Sequence, residues 1–184
     1  MTIKIGTSGF SFKDWKGTVY PKNLPLKDAL IYYQEDFGFD CVEINSTYYT
    51  LVSERSFAGM VQKTHPGFEF VVKAFRGITH DPFDDRLGNQ RPSLQNARED
   101  IKKFLFSLGP LITQKKLGAV LLQFPVFFYP SQESREHMEC CREMFGDIPL
   151  VVEFRNNAWA HPETKTGSTR PLRPATITFT PIKN

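Results

Sequence analysis

Several features that would assign a function at once are scarce or missing in this chain. It has three cysteines in 184 residues, and none forms a C-x-x-C pair, which argues against a disulfide framework and against a cysteine-based zinc or redox site. We expect reduced, mostly buried thiols. The four histidines also lack the spacing of metal ligands, so the sequence predicts no metal site. No G-x-G-x-x-G motif opens a helix, and we therefore expect no dinucleotide and no other cofactor.

Long hydrophobic runs are missing as well. No stretch approaches the ~20 apolar residues of a membrane-spanning helix, and Met1–Phe10 lacks the basic start and apolar run of a signal peptide. We therefore expect a cytoplasmic protein without a membrane partner.

A charge excess of one sign is confined to the end of the chain. Residues 161–184 contain four basic residues and one acidic residue, which accounts for the whole net charge of +3 and leaves residues 1–160 with 19 of each sign. A neutral body removes the bulk electrostatic argument for a polyanionic partner such as nucleic acid.

Strand-like apolar runs alternate with helical segments five times along the chain. The predicted strands are Ile3–Thr7, Cys41–Asn45, Phe68–Lys73, Gly118–Gln123 and Leu150–Arg155. Helices are predicted over residues 26–37, 53–64, 93–116 with a break at Gly109 and Pro110, and 131–145. This alternation is typical of an α/β fold with a mainly parallel sheet. On length alone an open five-stranded parallel sheet is favoured, because a complete (β/α)8 barrel typically takes ~250 residues.

Polar side chains occupy the carboxyl ends of these strands, beside the long connections 8–25 and 75–92. Because successive strand side chains point to opposite faces, six of them are predicted to share one face: Glu43, Asn45, Lys73, Gln123, Glu153 and Arg155. Holding them there costs desolvation energy unless partners are supplied.

Glu43 and Lys73 lie on predicted neighbouring strands and are expected to pair, either as a structural ion pair or as part of a site. A nearby carboxylate favours the charged ammonium, so Lys73 is predicted to be an anion clamp and not an imine-forming nucleophile. Glu153 and Arg155 pose the same choice between a structural pair and a carboxylate acid/base beside a guanidinium.

Five ordered segments of the sequence carry a resemblance to a known family. They are GTSGFSFKDWKGTVYP (6–21), VEINSTYY (42–49), FEFVVKAFRGITH (68–80), LGAVLLQFP (117–125) and VVEFRNNAW (151–159). They closely resemble the motifs of domain-of-unknown-function family 72, the YecE-like proteins. The resemblance covers about residues 3–160 and implies a TIM-like (β/α) barrel of which about five βα units are present, with no established activity.

The same resemblance implies further strands and helices after residue 159, which residues 161–184 do not match. We therefore expect residues 1–160 to form a partial barrel domain. Residues 161–184 are expected to be a basic, Thr/Pro-rich tail, such as a frameshift or an early end of the gene would give, and mostly disordered apart from a short extended piece at Thr176–Phe179. A truncated barrel is also expected to self-associate.

The candidate site residues follow from these patterns. The catalytic candidates are Glu43, Glu153 and His80, the last because it follows a strand and an unperturbed histidine has a pKa suited to proton transfer. The predicted ligand-binding residues are Trp15, Tyr20, Asn45, Thr47, Tyr48, Lys73, Arg76, Gln123, Arg155 and Trp159. For the aromatic members the alternative is that they cap the barrel core.

These residues favour an uncharacterised protein that binds a small anionic or hydroxylated ligand, containing phosphate or sugar, at the carboxyl face. Metal-independent hydrolase or lyase chemistry could follow from paired glutamates on separate strands, as in glycoside hydrolysis. Two alternatives stay open: a nucleic-acid or nucleotide-binding protein, and a nonfunctional truncated product.

Overall fold

One parallel sheet forms the centre of the molecule. The computed structural model describes residues 3–161 and the backbone of residues 175–179. The strands are β1 (Gly6–Ser8), β2 (Cys41–Ile44), β3 (Glu69–Lys73), β4 (Leu117–Phe124), β5 (Leu150–Phe154) and β6 (Ala175–Phe179). They lie side by side in chain order, and every neighbouring pair is parallel.

The strand order distinguishes between two kinds of α/β sheet. A doubly wound sheet reverses its strand order at a switch point, whereas strands in chain order with right-handed crossovers place all the helices on one face, as in a barrel. The sheet is open, since within the described residues β1 and β6 each pair with a single neighbour. The predicted α/β, TIM-like architecture is confirmed, with one strand more than the five predicted.

The helices begin and end close to where the sequence predicts. They are α1 (Ala29–Glu35), α2 (Glu54–Gln62), α3 (Arg76–Thr79), α4 (Leu94–Ser107), α5 (Gly109–Thr113) and α6 (Gln132–Phe145). Ser53 and Ser131 cap α2 and α6 by accepting hydrogen bonds from backbone N–H groups of the first turn. Pro110 lies in the first turn of α5, so the predicted break in residues 93–116 is confirmed. Helix α3 lies in a stretch predicted to be a loop.

The core lies between the sheet and its helices. Phe70, Val72, Val120 and Leu122 point to that side and are at most 1% exposed. The alternate residues of β2, β3 and β5, including Glu43, Lys73 and Glu153, are half-buried on the other face. The strand periodicity thus separates an apolar face from a polar one, as predicted.

The first strand is shorter than Ile3–Thr7. Its ladder with β2 starts at Gly6 opposite Cys41, and a Cβ at Gly6 would lie 1.9 Å from the Cys41 carbonyl oxygen. Ile3 and Ile5 precede this contact and are 78% and 65% exposed. Close backbone approach at Gly6 therefore sets where pairing begins.

The extended piece expected at Thr176–Phe179 belongs to strand β6, which pairs with β5 so that Thr178 is opposite Glu153. The remainder of the predicted disordered tail, residues 162–174 and 180–184, lies outside the described residues. Among the helices of the described part, none is long and apolar enough to cross a membrane.

Candidate functional site

A row of four hydrogen-bonded side chains crosses three strands at their carboxyl ends. Lys73 Nζ donates to Gln123 Oε1 at 2.8 Å, and Gln123 Nε2 donates to Glu153 Oε2 at 2.8 Å. Arg155 Nε lies 3.5 Å from Glu153 Oε1. We call Lys73, Gln123, Glu153 and Arg155 the polar row. These side chains converge because they lie on the same face of the sheet, as the sequence predicts. Their role in binding stays a prediction.

A second cluster joins the first two strands. Ser8 Oγ donates to Glu43 Oε1 at 2.7 Å and accepts from Asn45 Nδ2 at 2.6 Å. Ser8 was not among the residues selected from the sequence, although it follows the predicted first strand directly. Its position at a strand's carboxyl end was the available signal.

The expected Glu43–Lys73 ion pair is wrong. Within the described residues neither side chain forms an ion pair within 4.0 Å, since Glu43 is held by Ser8 and Lys73 by Gln123. The strand register explains this. Glu43 is opposite Val71 and Lys73 is opposite Leu121, so Glu43 lies two residues behind Lys73 and Gln123 two residues ahead of it, toward the carboxyl edge.

The charge of Lys73 is disfavoured, contrary to the reasoning that a nearby carboxylate would stabilise it. Burial lowers the pKa of Lys73, Arg155 lowers it further, and the opposing attraction of Glu43 and Glu153 is smaller. The ammonium also lies 4.8 Å from the centre of the Tyr48 ring, where the ring face offers a weak cation–π partner. The desolvation of Lys73 therefore outweighs the attraction of the nearby carboxylates that was expected to keep its pKa high.

His80 does not lie in the environment expected of a histidine with an unperturbed pKa. Its ring packs edge-on against Tyr48, with centroids 4.8 Å apart, and its Nδ1 lies 2.8 Å from Thr79 Oγ1. Burial, followed by repulsion from nearby cations, lowers the pKa of His80 to about 4. The imidazole is therefore neutral at pH 7, and the expectation of an unperturbed pKa is wrong.

Arg76 is held by a carboxylate of its own. Its Nε and Nη2 each lie 2.8 Å from Asp81 Oδ1, and this hydrogen bond raises the pKa of Arg76. Its side chain is 42% exposed. Arg76 is thus beside the polar row with its charge partly balanced. Asp81 was not anticipated, because its role depends on the turn that follows α3.

Thr47 has a structural position. It is fully buried, and its hydroxyl lies within hydrogen-bonding distance of the carbonyl oxygens of Ile44 and Lys73, at 3.0 and 2.6 Å. It therefore links the carboxyl ends of β2 and β3 and is not available to a ligand, which corrects its predicted role.

Three predicted aromatic ligand contacts lie in packed clusters away from the polar row. Tyr20 is 6% exposed, donates to the Phe10 carbonyl oxygen and packs against Trp15; burial raises the pKa of Tyr20 to about 12. Trp159 stacks on Phe154, on the helix-facing side of the sheet, with centroids 4.5 Å apart. Trp15, Tyr20 and Trp159 therefore follow the alternative, in which aromatic residues cap the core, whereas Tyr48 contacts the site.

The molecule has two further surface cavities of substantial volume. One of about 490 Å³ lies between α2 and α5, and another of about 550 Å³ lies beside Trp15 and Phe37. Neither is lined by a residue of the polar row, and each has a single acidic side chain in its lining, Glu54 or Asp36. The hydrogen-bonded carboxyl edge remains the candidate site.

Comparisons with known proteins place the chain among relatives of undetermined activity. It is 32% identical to the UPF0759 protein YunF of Bacillus subtilis (strain 168) over 162 residues, which are 87% of this chain and 53% of that protein. A solved DUF72 family protein from Thermotoga maritima MSB8 is 40% identical, with a TM-score of 0.69 over 88% of this chain and 58% of that chain. A second one, from Enterococcus faecalis V583, is 28% identical, with a TM-score of 0.67 over 89% and 55%.

The chain thus spans little more than half the length of these relatives. The family model described as a protein of unknown function, DUF72, matches residues 4–182. This match continues past residue 160, where the sequence predicts the start of the tail, and includes strand β6. The chain belongs to the DUF72 family of proteins of unknown function.

Proposed function

We propose that this protein binds a small anionic or hydroxylated ligand at the carboxyl edge of its sheet and acts on it by acid/base chemistry of the hydrolase or lyase type. The observation that carries the proposal is the polar row. It places an ammonium, an amide, a carboxylate and a guanidinium in continuous contact at the edge where α/β proteins of this class bind ligands.

The roles follow from the contacts of each group. Glu43 and Glu153 are the candidates for proton transfer, since each is held in place by a neutral hydrogen-bond donor, Ser8 or Gln123. Lys73 and Arg155 would bind a negatively charged group of the ligand or polarise one of its oxygens. Arg76 would assist from the edge of the site. Asn45 and Gln123 would orient hydroxyl groups.

The proposal can be tested with single substitutions and a matched control. A panel of sugars, sugar phosphates and other phosphate esters would be screened by thermal shift and then by calorimetry, using wild type, Glu43→Gln, Glu153→Gln and Lys73→Met. Glu69→Gln is the control, because Glu69 lies on the same strand as Lys73 but at the amino end, paired with Lys4.

A ligand present at 100 times its Kd should stabilise the folded protein by about 2.7 kcal/mol. We expect this stabilisation in wild type and Glu69→Gln, and a loss of at least tenfold in affinity in the three site variants. Turnover, where it occurs, should fall in Glu43→Gln or Glu153→Gln by about 10² or more, the usual contribution of a positioned acid or base. Equal binding by all five proteins would contradict the proposal.

A nucleotide or single-stranded nucleic acid is the second candidate. It is favoured by Tyr49, which is 75% exposed and packs edge-on against Tyr48 beside the cations of the site. Binding of a polyanion would weaken steeply with salt. An affinity for oligonucleotides that falls at least tenfold between 50 and 200 mM salt would therefore support this candidate over a sugar ligand.

A further inference from the structure

Burial and three nearby cations oppose the protonation of the half-buried His80 ring. Burial has the largest effect, and among the charges Lys73 has the largest, followed by Arg155 and Arg76; Asp84 is the carboxylate that favours protonation. Each of these cations comes from a different element: β3, the segment after β5, and α3. The site thus concentrates positive charge around a group that could itself become positive.

Tyr48 fixes the geometry of this arrangement. Lys73 Nζ lies 4.8 Å from the centre of its ring, and the His80 ring packs against the same ring at 4.8 Å. The phenol also senses the charges of Arg76 and Arg155. Lys73 and His80 therefore share the Tyr48 ring as a common neighbour, and the charges of Arg76 and Arg155 act on the same residue.

The carboxylates near this region already have hydrogen-bond or ion-pair partners, including Glu43, which has the largest effect of any carboxylate on Lys73 and accepts a hydrogen bond from Ser8. Asp81 binds Arg76, and Asp84 accepts two hydrogen bonds, each at 2.7 Å, from the Arg86 guanidinium. Glu153 is held by Gln123 and Arg155, while Lys73 has an amide and a ring as its partners. Phe127 covers the remaining side of His80, with ring centroids 6.3 Å apart. Negative charge supplied from outside would therefore have its strongest effect on Lys73 and His80.

We infer that the site binds an oxyanion, the phosphate or carboxylate group of its ligand, beside the Tyr48 ring and close to Lys73 and Arg155, and that this binding is coupled to the uptake of one proton by His80. The inference rests on the proposed function and specifies the ligand class. An anion at this position is attracted by the imidazolium and offsets the repulsion from the three cations. Anion binding and protonation must then favour each other to the same extent.

The sign of the coupling follows directly. The pKa of His80 in the free protein is about 4, and a bound anion raises it, because it stabilises the protonated ring. Affinity for the anion must therefore increase as the pH falls. A rise of one unit corresponds to about fivefold tighter binding at pH 4 than at pH 7.

Nuclear magnetic resonance of the histidine side chains would measure this coupling on the intact chain. The His80 signal is one of four and would be assigned by its absence in His80→Asn. Its titration would be followed without added oxyanion, with sulfate, and with trifluoroacetate, all at constant ionic strength set by sodium chloride. Sulfate represents a tetrahedral phosphate-like group and trifluoroacetate a carboxylate, and neither has a pKa in the range studied.

We expect the His80 midpoint to rise by at least one pH unit with sulfate or trifluoroacetate, and the larger shift identifies the oxyanion. The other histidines, which lie outside the site, should keep their midpoints. An unchanged His80 midpoint with both ions at saturating concentration would overturn the inference. Failure of the protein to bind either ion would overturn it as well.

Affinity measurements separate His80 from the carboxyl groups that titrate in the same range. Calorimetry with the more effective ion at pH 4 and pH 7 should show the fivefold difference in wild type and in the control Glu69→Gln, and no more than twofold in His80→Asn. His80→Phe keeps a ring against Tyr48 and Phe127 and should give the same result if His80→Asn is unstable. A pH dependence that persists in both His80 variants would refute the inference.

These outcomes differ from a failure of the proposed function. Tight binding of an uncharged sugar that is lost in Glu153→Gln, without any effect of sulfate or trifluoroacetate on His80, would overturn the inference and leave the proposed function supported.

Discussion

Gln123 is predicted to hold the polar row together, and its replacement by leucine should destabilise the folded protein. The side chain is 7% exposed, accepts from Lys73 and donates to Glu153, both at 2.8 Å. Leucine preserves the volume but removes both hydrogen bonds. A hydrogen bond to a charged group contributes about 1.5–3 kcal/mol. Because both charged partners are partly exposed and can regain water, we expect a total loss of about 2 kcal/mol.

The free energy of unfolding would be measured by urea denaturation at pH 7 for wild type, Gln123→Leu, Lys73→Met and the double variant. Part of the loss arises from leaving the Lys73 ammonium without its amide partner. Gln123→Leu should therefore cost about 1 kcal/mol less in the Lys73→Met background, well above the ~0.5 kcal/mol scatter of independent sites. Gln62→Leu, an exposed position on α2, is the matched control and should change stability by less than about 0.5 kcal/mol. Strict additivity would refute the description of the row as one coupled unit.

Three further predictions concern other parts of the chain. Lys116 is 7% exposed and donates three hydrogen bonds of 2.7 Å to Thr64 and the next residue. Lys116→Met should lower the free energy of unfolding by about 2 kcal/mol, because buried acceptors are left unpaired. Urea denaturation would show a smaller loss if water replaces the ammonium. The pKa of His80, about 4 in the folded protein against 6.5 ordinarily, means that its contribution to stability is complete above pH 6.5 and is lost as the pH falls toward 4. Wild type should therefore lose about 1–2 kcal/mol more than His80→Asn between pH 7 and pH 4, and equal losses would contradict the assigned burial. Within the described residues β1 pairs with β2 alone, and Ile5 adjoins its other edge. Ile5 and Leu26 are both exposed, so self-association through this edge should be reduced in Ile5→Lys and retained in Leu26→Lys. Sedimentation velocity would distinguish this from association through another surface.

The elements of the fold were predictable because they depend on local patterns. Runs such as Gly118–Gln123 are too short for a buried helix and lie between turn residues, and the serines at positions 53, 93 and 131 mark the helix starts. Helix α3 was missed because Gly77 argues against a helix. A Cβ at Gly77 would lie 2.2 Å from Asp100 Oδ2, so a larger residue would displace the Asp100 side chain where α3 packs against α4, and no local pattern reveals this contact.

The partners within the site could not be predicted in the same way. Strand periodicity gives the face of a side chain but not its register with the next strand, and the register places Gln123 and not Glu43 ahead of Lys73. Loop residues are less constrained still. Trp159 and Tyr48 both follow strands, yet the first folds back onto the helix-facing side and the second lies beside Lys73.

The electrostatics of the site argue that its polar residues serve a ligand more than the fold. Burial lowers the pKa values of both Lys73 and His80, and Arg155 opposes the charged form of each. A cluster arranged for stability alone would place a carboxylate against the ammonium, whereas here the nearest contacts of Lys73 are an amide oxygen and an aromatic ring. The folded protein accepts the mutual repulsion of these cations at the carboxyl edge, and an oxyanion bound among them would relieve it. If the site binds an oxyanion as proposed, the unfavourable charge of the free site would be the source of its affinity.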